Sequence, residues 1–166
     1  AVKGLYAGSN WNDLDYKELI DQSIENLNKL KSTPIKLPRG KYKVYLAPDA
    51  VSEIIDMFSW GGVSYSSLMR GNSALKMLHG GDRSLSNKFN LSEDFSLGLS
   101  PRFNDRGEVA GEKLPIIENG KLKNLLISSR TAKEYNVSSN GAGSYEGLRS
   151  TKVNPGELCK ENILSD

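Results

Sequence analysis

Between Leu97 and Ala132 the turn signals fall at spacings that tightly limit what the chain can fold into. Asp105-Arg106-Gly107-Glu108 is a turn, because Gly107 can take a positive φ where a side chain would clash. Two extended runs follow, Leu114–Glu118 and Lys121–Ile127, joined by Asn119-Gly120. That dipeptide favours the type I′ turn, whose twist matches that of the strands on either side. The pattern predicts a β-hairpin.

Upstream the signals are helical. Val2–Tyr6 is extended in character. Asn10 to Asp13 is a polar entry, and Asp15 with Glu18 resembles a capping pair at a helix start. Tyr16, Leu19, Ile20, Ile24, Leu27 and Leu30 then recur at helical spacing. Pro34 and Pro38 end the helix and make the segment from Ser32 to Gly40 a linker. Tyr42–Leu46 alternates like a half-buried strand. Pro48 suits the first turn of a second helix, which buries Val51, Ile54, Ile55 and Phe58 and stops at Gly61-Gly62. From Val63 to Leu78 the pattern predicts one or two helices broken near Gly71-Asn72. Ser129 to Tyr135 reads as a short helix ending near Asn136. Asn140 to Ser144 reads as a flexible Gly/Ser loop, and Leu158 to Leu164 as the start of another helix. The fold class expected is α+β, with helices first and mostly antiparallel sheet after them.

The residue inventory restricts the chemistry. Zinc sites take three or four ligands, usually His and Cys, and this chain has one of each, His79 and Cys159. His79 sits at a predicted helix end, where a cation favours the terminal carbonyls. Cys159 excludes an intrachain disulfide and fits a small buried thiol in a reducing compartment. No G-x-S-x-G elbow and no G-x-x-x-x-G-K-[ST] loop is present. Trp11, Trp60 and Tyr65 could line a cleft, although packing is the commoner use of such rings. Arg102 and Arg130 flank the hairpin and could hold a peptide carboxylate. The formal charge of +2 is too small to argue for nucleic acid or an acidic membrane, and no basic run supports either. No apolar stretch approaches the ~20 residues of a membrane span.

Several ordered motifs carry a family resemblance. They are Tyr45-Leu46-Ala47-Pro48 before a helix, Gly98-Leu99-Ser100-Pro101-Arg102-Phe103, Asp105-Arg106-Gly107, and Ile116-Ile117-Glu118-Asn119-Gly120. The series continues with Leu125-Leu126-Ile127-Ser128-Ser129-Arg130-Thr131-Ala132 and Ser139-Asn140-Gly141. This succession resembles the TldD/PmbA family of metallopeptidases, also called modulators of DNA gyrase, which act in peptide maturation and proteolysis. The resemblance implies that residues 1–33 are the tail of the family's N-terminal domain, that residues 34–41 are a linker, and that residues 42–166 are the first part of its C-terminal domain. The chain opens at Ala1 without a methionine and reads like an excised piece of something longer.

One departure matters for chemistry. In the TldD branch a metal-binding H-E-x-x-x-H follows the "L-x-P" strand end. Here its place is taken by Asp56-Met57-Phe58-Ser59-Trp60-Gly61, without either histidine. The chain therefore resembles the PmbA (TldE-like) branch, and no metal ligand or catalytic residue is carried onto it. What this implies is a cytoplasmic accessory subunit with no cofactor of its own, paired with a zinc-bearing TldD-type subunit or with itself, acting on peptides or unfolded proteins. Arg102, Arg130 and Asn140 are its candidate substrate-binding residues. The alternative is a non-catalytic peptide-binding or scaffold protein; a weaker one is a hydrolase using carboxylates of this chain with a metal.

Overall fold

The computed structural model describes residues 1–6, 10–158 and 162–163. It divides into two compact units, Ala1–Asp49 and Ala50–Asp166.

In the first unit one helix dominates, α1 (Asp13–Lys29). It starts two residues before the Asp15/Glu18 pair, because Asn12 is the N-cap and its Oδ1 accepts from Leu14 N at 3.0 Å. The rings of Tyr6, Trp11 and Tyr16 pack together over this start, with centroids 4.8–6.2 Å apart. Tyr6 Oη also accepts from Asn12 N at 2.8 Å. No residue of α1 is buried. Tyr42–Leu46 is extended, as expected, but it joins no ladder among the described residues and its side chains are exposed. Alternation sets the pleat, but a half-buried strand also needs a neighbour to pair with.

In the second unit short helices precede a sheet. Pro48 is the first residue of α2 (Pro48–Asp56), which runs into a 3₁₀ turn at Met57–Ser59 and ends at Gly61, where φ is +92°. Two helices follow, α3 (Tyr65–Met69) and α4 (Lys76–His79), separated at Gly71 as the sequence predicts. The sheet has the order β3-β2-β1-β4, all antiparallel, with β1 Leu91–Asp94, β2 Lys113–Glu118, β3 Lys121–Leu122 and β4 Thr151–Val153. Between β3 and β4 lies α5 (Ser129–Tyr135), ended by Asn136 in the left-handed region.

The hairpin turn is as predicted, with positive φ at both Asn119 (50°) and Gly120 (73°). Its second strand is shorter than expected. Only Lys121 and Leu122 pair with β2. At Lys123 the chain leaves the ladder, with Lys123 N donating to Ile116 O at 2.8 Å and Asn124 Nδ2 to Pro115 O at 2.7 Å. The departure carries Leu125 and Leu126 into the interior, where Leu126 bridges Ser64. The core gathers Ile55, Val63, Leu75, Leu91, Ile116, Ile117 and Leu126 between the helices and one face of the sheet. Most of the helix expected from Leu158 onward falls outside the described residues, as does Cys159.

Candidate functional site

The segment from Asn140 to Arg149 is the structural hub of the second unit. Far from being a loose Gly/Ser loop, it is pinned at each end and in the middle. Asn140 clamps the segment before α5, with Oδ1 accepting from Ile127 N at 2.9 Å and Nδ2 donating to Leu125 O at 2.7 Å. Gly141 follows with φ of +76°, and a Cβ there would lie 2.7 Å from Ala110 Cα, so only glycine fits. Asp105 reaches across from the Gly107 turn and accepts from Ser144 N at 3.1 Å and Ser144 Oγ at 2.5 Å. The Ser144 contacts hold the Asp105 carboxyl below the usual carboxylate range.

Glu146 is the centre of this arrangement. It is 2% exposed and adopts a left-handed φ of 51°. Its Oε2 accepts from Ser64 Oγ (2.6 Å) and Ser66 N (3.0 Å), while Oε1 accepts from Ser128 N (2.9 Å) and Ser128 Oγ (3.0 Å). Ser64 and Ser128 are the N-caps of α3 and α5. One carboxylate thus satisfies the exposed N–H ends of two helices, where negative charge is favoured. Burial alone would raise its pKa. The hydrogen bonds from Ser64, Thr131, Ser128 and Ser66 outweigh burial and bring it down to about 2.

The hub then leads into β4. Glu93 Oε1 accepts from Arg149 N (2.6 Å) and Ser150 N (3.0 Å), and Ser100 Oγ donates to Arg149 O (2.7 Å). The Arg149 guanidinium lies 5.0 Å from the Phe95 ring centroid and donates to the carbonyls of Phe103 and Gly141. Asp94 N donates to Ser150 O and Asn154 N to Asn90 O, so the even-numbered residues 150, 152 and 154 turn their peptide groups toward β1. By antiparallel alternation the peptide groups of Thr151 and Val153 point to the other edge, where no described strand pairs. Elsewhere in this unit, residues 100–105 and 143–149 line an open cleft of about 620 Å³. Its size lies within the ~300–1,000 Å³ usual for ligand sites. Phe103 and the 94% exposed Tyr145 give it an aromatic rim.

The three residues singled out from the sequence have different surroundings. Arg102 is exposed, but its Nε and Nη2 both donate to Ala110 O at 3.1 and 2.9 Å. The Asn140 amide is used in the clamp described above. Arg130 projects from the first turn of α5 and is exposed. His79 is the exposed last residue of α4, at the helix end that favours a cation. Glu146, Glu93 and the β4 edge were not found from the sequence.

Residues 56–61, where a zinc motif would stand, do not fit the metal. Their side-chain oxygen donors are the Asp56 carboxylate and the Ser59 hydroxyl, and Ser59 Oγ accepts from Leu148 N at 3.1 Å. Trp60 is 81% exposed and Met57 half-exposed. Zinc sites need three or four imidazole, thiolate or carboxylate ligands, and this stretch has one.

Residues 39–166 match the family described as the PmbA/TldA metallopeptidase C-terminal domain. The chain belongs to the TldD/PmbA family. A relative named Metalloprotease MJ0996, from Methanocaldococcus jannaschii, is 33% identical over 150 residues, covering 84% of this chain and 32% of the relative. Two solved structures share the fold. One is a putative modulator of DNA gyrase from Bacteroides thetaiotaomicron, with a TM-score of 0.68 and 21% identity over 84% of this chain and 31% of that one. The other is TldE from Thermococcus kodakarensis, with a TM-score of 0.62 and 20% identity over 91% and 36%. The chain spans about a third of the length of these relatives. Within the family, the α+β architecture is that of its C-terminal domain. No helix among the described residues is long and apolar enough to cross a membrane.

Proposed function

We propose that this chain is part of a PmbA-like subunit that binds no zinc itself and holds extended peptides for a zinc-bearing TldD-type partner to cleave. The observation that carries the reading is the donor-poor stretch Asp56–Gly61 at the place of the family's metal motif. The second support is the open β4 edge. An extended peptide gains main-chain hydrogen bonds from Thr151 and Val153 by strand addition, which needs no particular side chain. The cleft rimmed by Phe103 and Tyr145 offers a place for an apolar side chain of a bound peptide. Of the earlier trio, the exposed guanidinium of Arg130 is the group offered to a peptide carboxylate. Metal analysis of this chain alone, and of its mixture with a TldD-type protein, tests the assignment. Stoichiometric zinc in this chain alone overturns it. In a peptide-cleavage assay the mixture is expected to outperform the zinc subunit. If it does not, the chain is a scaffold rather than an accessory to hydrolysis.

A further inference from the structure

The sequence contains two Asn-Gly steps, Asn119-Gly120 and Asn140-Gly141. Asparagine is among the chemically labile residues, and a following glycine sharpens the liability. The glycine nitrogen can attack the asparagine side-chain carbonyl, because glycine has no side chain to obstruct the approach and reaches the needed dihedrals at little cost. The fold treats the two steps differently. At Asn140 both reactants are held. Its Oδ1 accepts from Ile127 N at 2.9 Å, its Nδ2 donates to Leu125 O at 2.7 Å, and Gly141 N donates to Ser139 Oγ at 3.2 Å. Turning the carboxamide toward the nitrogen costs both arms of the clamp, and freeing the nitrogen costs the third bond.

Asn119 is tied through its backbone, with N donating to Asn90 Oδ1 at 2.9 Å. Its carboxamide makes no hydrogen bond among the described residues. The nucleophile, Gly120 N, donates to Phe89 O at 3.0 Å, and Gly120 O accepts from Leu85 N at 3.0 Å. Residues 85–90 thus form a strap across the hairpin tip, and they belong to no helix or strand. Segments of that kind open locally far more often than core elements do.

We infer that Asn119 is a site of spontaneous deamidation gated by this strap, and that the clamp protects Asn140. When the strap lifts, Gly120 N gives up its proton to solvent and attacks Asn119 Cγ. The N–Cγ bond forms and the Cγ–Nδ2 bond breaks. Ammonia leaves with the proton that solvent returns, and a succinimide ring remains. Water then opens the ring at Cγ to give aspartate, or at the former backbone carbonyl to give isoaspartate. Isoaspartate lengthens the main chain by one carbon. The tip has no slack for it, since a Cβ on Gly120 would already lie 2.3 Å from Leu85 O and 2.5 Å from Ser86 O. The product therefore displaces the strap that gated its formation.

The test is to age the folded 166-residue chain at mildly alkaline pH in water enriched in heavy oxygen, which ring opening incorporates. Trypsin separates the sites into Leu114–Lys121 and Glu134–Arg149, and mass spectrometry reads the deamidated fraction of each. In the folded chain Asn119 should convert about tenfold or more faster than Asn140. In urea, without strap or clamp, the two rates should agree within about threefold. Asn90→Ala removes the tie to Asn119 N and should speed Asn119 by about threefold or more without moving Asn140. Circular dichroism confirms that this variant stays folded. The isoaspartate fraction should melt below Asn119→Asp, which adds the same charge without the extra carbon. Equal rates at the two sites in the folded chain, or a faster one at Asn140, overturn the inference. So does an Asn119 that stays intact while the urea-unfolded chain converts. An Asn119 rate that Asn90→Ala leaves unchanged overturns the gating, and equal melting of the isoaspartate fraction and Asn119→Asp overturns the displacement of the strap.

Discussion

Replacing Glu146 with glutamine keeps the shape of the side chain and removes its charge. Each carboxylate oxygen accepts from a serine hydroxyl and a backbone N–H. An amide can accept at one end only, so its NH₂ group must face either the Ser64/Ser66 pair or the Ser128 pair. At least one buried backbone N–H is then left unpaired, a loss of about 1–3 kcal/mol. The lowered pKa of the carboxylate gives a second magnitude. The folded pKa is about 2 against an ordinary 4.5, and at about 1.4 kcal/mol per pH unit that is roughly 3 kcal/mol. Because the pKa is lowered on folding, this stability is fully present above pH 4.5. It is lost as the pH falls through about 2. Urea titrations followed by circular dichroism at stepped pH should show Glu146→Gln less stable at pH 7 by about 2–4 kcal/mol. The variant's stability should also fall less between pH 5 and pH 2 than that of the wild type. Glu146→Asp, which keeps the charge but is one methylene shorter and reaches one helix end rather than two, should fall between them. An unchanged midpoint for Glu146→Gln at pH 7, or equal acid sensitivity in all three proteins, would refute the account of Glu146 as a double cap.

Other consequences can be read from melting curves and binding. At Gly120 a Cβ would lie 2.3 Å from Leu85 O and 2.5 Å from Ser86 O, with φ at +73°. Gly120→Ala should therefore cost well beyond the ~1 kcal/mol of backbone strain alone. Gly107 has a similar φ of +78° but nothing within 4 Å of the added Cβ, so Gly107→Ala should cost only that ~1 kcal/mol. Equal melting temperatures for the two variants would contradict this contrast. Asn140→Ala removes both arms of the clamp on Leu125 and Ile127 and should destabilise by about 1–3 kcal/mol. Arg130→Ala should stay within about 0.5 kcal/mol of the wild type and weaken binding of a peptide with a free C-terminal carboxylate, measured by fluorescence anisotropy. A large stability loss at Arg130 would show that it is structural.

What the sequence revealed was local. The Asn119-Gly120 turn, the break at Gly71 and Pro48 at the start of α2 each depend on residues within a few positions, and each is where the pattern placed it. Tyr42–Leu46 and the second half of the Lys121–Ile127 run went wrong for the opposite reason. Extended character was read correctly, but pairing depends on a neighbour, and Leu125 and Leu126 are drawn into the core beside Ser64 instead. Glu146 was invisible because its partners lie 82 and 18 residues away. Its only trace in the sequence is a lone acid among Gly143, Ser144, Tyr145 and Gly147. The candidate residues fared unevenly: Arg102 and Asn140 hold the protein's own carbonyls and amides, which side-chain chemistry alone does not reveal.

The double cap also sets a timetable for biosynthesis. Ribosomes add about 5–20 residues per second, so the 82 residues between Ser64 and Glu146 take roughly 4–16 s to make. Throughout that interval α3 has its serine cap but not the carboxylate that receives the Ser64 hydroxyl. β4, which closes the sheet against β1, is made later still. The second unit therefore cannot reach its final form progressively from its N-terminal side. Its first helices and first strand wait on the ribosome for a closing segment, and in that wait they are open to chaperones and to proteolysis.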